Sequence, residues 1–166
     1  MILGPDIPGL TFQEERFSDL RIEASLLFEE HWQEAGHRSD KPVDMDWAAY
    51  RAMEDSGILL TITARYQGRL VGYAVYVLWR HPHHRSVTVA DCDCVFIESG
   101  RRQGRAAMRF MQHVENALRS RGIQEVHTPI RPVNRTSRGD RSLVPLMVRM
   151  GYRLQSLVYG KVLADG

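Results

Sequence analysis

The stretch "DCDCVFIESGRRQGRAAMRF", Asp91 to Phe110, changes character twice, and those changes set the fold. Acidic and small apolar residues alternate up to Ile97, as in a strand with two distinct faces. A short loop follows, with arginines at 101, 102 and 105 around Gly104. From there Ala107, Phe110, Met111, Val114 and Leu118 fall on one side of a helix, leaving Arg105, Arg109, Gln112 and Arg119 outward until Gly122 closes it. The unit is a strand, an arginine-rich loop and an amphipathic helix.

Upstream, "ILLTITARY", "RLVGYAVYVLW" and "SVTVADCDCVFI" are β-rich runs separated by the turn-like "QG" and "RHPHHR", which predicts three antiparallel strands. Downstream, "QEVHTPI" reads as a strand reached through the helix, so it pairs parallel by a right-handed crossover. A helix around "RSLVPLMVRM", with Pro145 in its first turn, ends at Gly151, and "YRLQSLVYGKVL" supplies a last strand. Near the start, Ser18 or Asp19 is placed to cap a helix over Leu20, Ile22, Leu26, Leu27 and Trp32 that ends near Gly36. Asp46 caps a second through "WAAYRAMEDSG", stopped by Gly57. The order β, α, α, β, β, β, α, β, α, β predicts an α+β fold, a mixed central sheet flanked by about four helices. Residues 1–166 read as one domain, and 1–11, rich in proline and glycine, as a flexible lead.

Composition narrows the class. With 43% hydrophobic and 25% charged residues the chain reads as globular and soluble. Its longest apolar run, "LVGYAVYVLW", is about half a membrane span, and "MILGPDIPG" lacks the features of a signal peptide. The expectation is a cytoplasmic protein, bacterial or in the host cytoplasm if phage-encoded, with no membrane partner. The net charge of +2 hides an asymmetry: residues 1–57 carry thirteen Asp/Glu against five Lys/Arg, and residues 99–153 carry twelve Arg against three acids. Such a split suits a nucleic-acid face, or an anionic-ligand site opposite a cationic-substrate site.

Three chemistries compete for the opening stretch. Cys92 and Cys94 with His81, His83 and His84 suggest zinc, but eight extended residues between His84 and Cys92 span roughly 26 Å. No metal is expected, and the cysteines read as small core residues sharing one face, with Asp91 and Asp93 together on the other. Nucleic-acid binding would use the same arginines, yet the segment lacks interleaved exposed aromatics and its helix has an apolar stripe to bury. A pyrophosphate also fits, and a solvated basic turn stays open beside it. A glycine-containing loop before a helix presents unpaired N–H groups and the positive end of the helix dipole.

Arg101-Arg102-Gln103-Gly104-Arg105-Ala106 also resembles the Arg/Gln-x-x-Gly-x-Gly/Ala pattern of the GNAT acetyltransferase superfamily, and the element order resembles a GNAT fold from residue 12 to 163. "HWQE", "MDWAAY", "ARYQGRLVGYAVY", "HPHHRS" and "MGYRLQSLVYGKVL" resemble phage- and prophage-encoded members of that group. The resemblance implies an N-acetyltransferase that takes acetyl-coenzyme A and acetylates a primary amine by direct transfer in a ternary complex. The acceptor would be an amine-bearing small molecule or a protein lysine or N-terminus. It implies that Val95, Phe96 and Ile97 splay from the parallel strand and pair with the pantetheine amides. Arg101 through Ala106 (Arg101, Arg102, Gln103, Gly104, Arg105 and Ala106) would hold the pyrophosphate, and Asn134 would touch the cofactor.

For the chemistry, Asp93, as base or as anchor of a cationic amine, stands with Asp91 on the strand that bears the cofactor. Many relatives carry a tyrosine in the last helix to protonate the leaving thiolate; here the segment reads "PLMVRM", which leaves Tyr152 or Tyr159 as substitutes, Tyr159 being the candidate, or a thiolate that departs unassisted. Trp32 and His84 are candidate acceptor contacts. A single C-terminal strand would leave a sheet edge that a homodimer could cover. One alternative stays open, a non-catalytic GNAT-fold module that recognises a protein partner.

Overall fold

The structure, a computed structural model, describes residues 7–35, 42, 44–102, 105–130 and 143–156. The chain divides into two compact units, Met1–Val133 and Asn134–Gly166.

The first unit is built on a five-stranded sheet in the order β1-β2-β3-β4-β5. Its strands are β1 (Leu10–Glu14), β2 (Leu59–Tyr66), β3 (Arg69–Arg80), β4 (Thr88–Ile97) and β5 (Glu125–His127). The first four pair antiparallel in sequence order, and β5 joins β4 in parallel. The helices are α1 (Ser25–Ala35), α2 (Trp47–Asp55) and α3 (Ala106–Ser120), with single 3-10 turns at Phe17–Leu20 and Ser99–Arg101. The second unit contributes α4 (Val144–Arg149), with Pro145 in its first turn, where no intrahelical N–H is missed. This is the α+β fold with a mixed sheet that the sequence predicts.

Local chemistry explains the boundaries. Asp46 caps α2 by accepting from the Ala49 N–H at 2.9 Å. Between β2 and β3, Gln67 and Gly68 both have positive φ, 50° and 83°, which suits a two-residue hairpin turn whose twist matches the strands.

The sheet buries both faces. Against one lies α3, whose Phe110, Val114 and Leu118 pack on Leu60, Ile62, Ala64, Val71, Ala74, Tyr76, Ala90 and Cys92. Against the other lie Phe17, Leu20, Ala24 and Leu27, on Leu70, Tyr73, Val75 and Phe96, with Tyr50 and Trp47 of α2 at the margin.

Several expectations need correction. The first helix begins at Ser25, not near Ser18, because the Ser18 hydroxyl donates to Glu54 of α2 at 2.6 Å instead of capping its own chain. Ile22 and Leu26, expected on the apolar stripe of that helix, are exposed. The lead is shorter than eleven residues, since Leu10 and Thr11 belong to β1 and pair with Tyr66 and Arg65. The strand read from "QEVHTPI" is cut to Glu125–His127. Of the expected last strand, residues 152–156 form no strand, and the remainder lies outside the described residues.

The largest correction is a β-bulge. Val75 pairs with Cys94 and Tyr76 with Cys92, so Asp93 is an extra residue in β4. An extra residue reverses the alternation of everything after it. Cys92 therefore packs on the α3 side while Cys94 and Phe96 face the α1–α2 side, and the two cysteines do not share a face.

Candidate functional site

The β4–β5 ladder has three rungs, Val89–Glu125, Ala90–Val126 and Asp91–His127. Beyond Asp91, β4 continues for six residues, Cys92 to Ile97, still paired with β3. Among the described residues nothing pairs with its other side. That half-strand offers backbone N–H and C=O groups to an extended ligand, as an exposed sheet edge does. Gly72 of β3 makes the arrangement possible: a Cβ there would stand 2.7 Å from the Phe96 carbonyl oxygen and 3.2 Å from Ile97 Cα, so only glycine lets the strands approach this closely.

At its far end β4 meets the arginine loop. The Arg102 Nε–H donates to the Ile97 carbonyl at 2.6 Å, and its guanidinium sits 4.8 Å from the Phe96 ring centre and 2.7 Å from Glu34 of α1. Arg101 lies 3.6 Å over the Tyr66 ring and pairs with Glu98. Glu98 also binds Arg69, which first among its causes holds its carboxyl below the usual range. Glu30 of α1 accepts the Ser99 N–H at 3.2 Å. Arg105 is exposed and precedes α3, which has no side-chain cap, so its first-turn N–H groups are placed for an anion. Ala106, small and buried, starts the helix. Gln103 and Gly104 lie outside the described residues, as do Asn134 and Tyr159.

The residues of this core match the model of the "Acetyltransferase (GNAT) family" over 21–139. The chain belongs to the GNAT acetyltransferase family. It is thereby an enzyme of the acyltransferase class, and its fold is the GNAT fold. An aminoglycoside acetyltransferase from an uncultured soil metagenomic sample, solved with trehalose, is similar at 9% identity and a TM-score of 0.69, covering 94% of this chain and 97% of that one. A predicted acetyltransferase from Clostridium acetobutylicum, solved with acetyl-CoA, is 12% identical with a TM-score of 0.66 and coverage of 93% and 96%. A ribosomal-protein-alanine N-acetyltransferase from Brucella melitensis is 11% identical with a TM-score of 0.61 and coverage of 95% and 99%. These likenesses are of fold. No curated protein sequence matches the chain.

In this GNAT chain the acidic pair of β4 lies where the strands part, but each carboxylate has its own partners. Asp93, exposed in the bulge, accepts the Tyr50 hydroxyl of α2 at 2.7 Å. Burial first, then that carboxylate, raises the Tyr50 pKa well above the usual phenol range, so the hydroxyl keeps its proton. Asp91 accepts the Trp79 indole N–H at 2.6 Å and lies 2.7 Å from His127 Nδ1. Burial pushes the Cys92 thiol up to about 12 and raises that of Cys94 as well, with the charge of Asp93 next among the causes at Cys94. Neither cysteine is a ready nucleophile.

Trp32 lines a groove of about 480 Å³ with Arg21, Phe28, Glu29 and Trp47. His84 is exposed in the β3–β4 loop, its ring 4.8 Å from His81, which stacks on Trp79 at 5.6 Å. Among the described residues no three of His, Cys, Asp and Glu are grouped to hold a metal ion, and no helix is long and apolar enough to cross a membrane. The sequence reading missed Glu30, Glu34, Tyr50 and His127. Only the strand register and the helix docking bring them to the site, though "QEVHTPI" carried a histidine in plain view.

Proposed function

We propose that the protein is an acetyl-CoA-dependent N-acetyltransferase acting on a primary amine by direct transfer in a ternary complex. The observation that carries this is the half-strand Cys92–Ile97, open on one side among the described residues and running towards a helix with no side-chain cap among them, behind an arginine-bearing loop. The residues present fit the cosubstrate. Val95 and Phe96 would pair with the pantetheine amides, while the Ile97 carbonyl already takes an Arg102 N–H. Arg105 and the first-turn N–H groups of α3 would meet the pyrophosphate, joined by Arg101, Arg102, Gln103, Gly104 and Ala106. Acetyl-CoA supplies an activated acyl group on a thiol leaving group. Two thiols held protonated support direct transfer over an acyl-cysteine.

Asp93 would hold the acceptor as its ammonium form beside the Tyr50 hydroxyl. Trp32 and, from the loop side, His84 would border the acceptor, the leaving thiolate would be served by Tyr159 or depart unassisted, and Asn134 would contact the cofactor. The acidic first third of the chain favours a cationic acceptor, such as the aminoglycosides or the ribosomal-protein alanine named for the structural neighbours. A cytoplasmic setting, a phage or prophage origin and a homodimer belong to the same proposal.

Two measurements test it. Acetyl-CoA at 100 times its dissociation constant should stabilise the fold by about 2.7 kcal/mol, read as a rise in Tm; an unchanged Tm sinks the proposal. Thiol release with spermidine, neamine and an alanyl peptide should then need an amine. Asp93→Asn should raise the KM for a cationic amine about tenfold, the order expected for a charge-assisted hydrogen bond.

A further inference from the structure

Asp91 and His127 form the last rung of the parallel ladder, at the fork where the open half of β4 begins. Both Asp91 oxygens are engaged, Oδ2 by the Trp79 indole N–H at 2.6 Å and Oδ1 by His127 Nδ1 at 2.7 Å. A carboxylate only accepts, so Nδ1 carries the hydrogen and the lone pair of the neutral ring is on Nε2. Glu125 Oε2 stands 3.8 Å from Nε2, beyond hydrogen-bond reach. The imidazole is 38% exposed, so a substrate can reach it. Behind it, Trp79 is braced by the stacked ring of His81.

We propose that His127 is the catalytic proton acceptor of acetyl transfer, with Asp91 and Trp79 as its positioning residues. This rests on the N-acetyltransferase reading above. An extended chain laid along Cys92–Ile97 from the arginine loop covers roughly 20 Å, about the reach of a pantetheine arm, and its reactive end then lies at the fork. Asp91, with donors on both oxygens, orients the ring instead of taking the proton itself. Asp93 holds the amine from the α2 side.

The step balances without a further reactant. The ammonium held by Asp93 first gives one proton to solvent, and the lone pair so freed forms the C–N bond to the thioester carbon while the carbonyl π pair moves to oxygen. His127 Nε2 takes the proton that the nitrogen loses, and Asp91 and Glu125 face the resulting imidazolium. The oxygen pair re-forms the carbonyl as the C–S bond breaks. Coenzyme A leaves as thiolate and gains the proton, directly from His127 or through solvent. The products are the N-acetyl amine and the free thiol.

The test compares wild type with His127→Asn, which keeps a donor for Asp91 but has no Nε2, and with His127→Gln in case the first does not fold. Each is read for the acetyl-CoA-dependent rise in Tm, and for kcat and KM across pH with spermidine, neamine and an alanyl peptide. The expected result is an unchanged rise in Tm, a kcat lower by at least 100-fold, and loss of the acidic limb of the kcat profile. Asp91→Asn should cost less, and Asp91→Glu should recover part of the loss with the acidic limb displaced. If His127→Asn binds acetyl-CoA and keeps the wild-type kcat and acidic limb, this inference falls while the acetyltransferase reading stands. If wild type shows neither a rise in Tm nor amine-dependent thiol release, that reading falls and takes this inference with it.

Discussion

The two halves of β4 are made of similar residues and lead different lives. From Val89 to Asp91 the strand is paired on both sides, and Val89 and Ala90 are fully buried. From Cys92 to Ile97 it is paired, among the described residues, only with β3, and Asp93 stands out of the ladder. The first half is framework, and the second is the edge on which we propose the cosubstrate docks. One extra residue and the end of a parallel partner are enough to separate them, because sheet pairing is decided rung by rung and not by overall strand propensity.

Inserting one alanine between Val75 and Tyr76, which gives Asp93 a partner, should break this difference most severely, whereas deleting Asp93 leaves Cys92 and Cys94 adjacent and still on opposite faces. With the insertion, a regular ladder would turn either Cys92 and Ala90 or Cys94 and Phe96 to the wrong face of the sheet. The expected outcome is loss of a cooperative thermal transition by circular dichroism; an unchanged melt would show that the bulge does not set the facing. A smaller effect is expected from Gly72→Val, which forces β4 away from β3 only in its second half. It should cost about 1–3 kcal/mol, in the range of overpacked sites, and weaken acetyl-CoA binding more than it lowers Tm, as measured by titration calorimetry.

The mildest test concerns the pair that closes the open half. Arg69 and Arg101 hold the Glu98 carboxyl below its ordinary value of 4.5. A lowered folded pKa stabilises the protein above the unfolded value, and that contribution is lost as pH falls through the folded one. Glu98→Gln should therefore lower Tm slightly at neutral pH, by the equivalent of about 1 kcal/mol, and flatten its decline below about pH 4.5, as followed by melts from pH 7 to 3. An acid decline as steep as that of wild type would rule out Glu98 as a contributor.

Much of this was legible in the amino acids. The apolar stripe of α3, the three alternating strands, the Asp46 cap and the Gln67-Gly68 turn are local patterns, and local patterns survive folding when tertiary packing agrees with them. The bulge was not legible, since an unpaired residue is a property of two strands and one sequence gives no register. The same gap put the two cysteines on one face and hid His127, whose only tie to Asp91 is a rung between strands 36 residues apart in the chain. Ser18 misled for a related reason: a good capping residue went to a carboxylate on α2.

One further consequence follows from α1. Eleven residues long, it sends Glu30 and Glu34 to the arginine loop and lends Phe28, Glu29 and Trp32 to the groove. It is a party wall between two rooms. A phosphate that drew Arg102 away from Glu34 would unfasten that wall on one side, so the order in which two substrates arrive has a physical place to be decided, in the seating of a single helix.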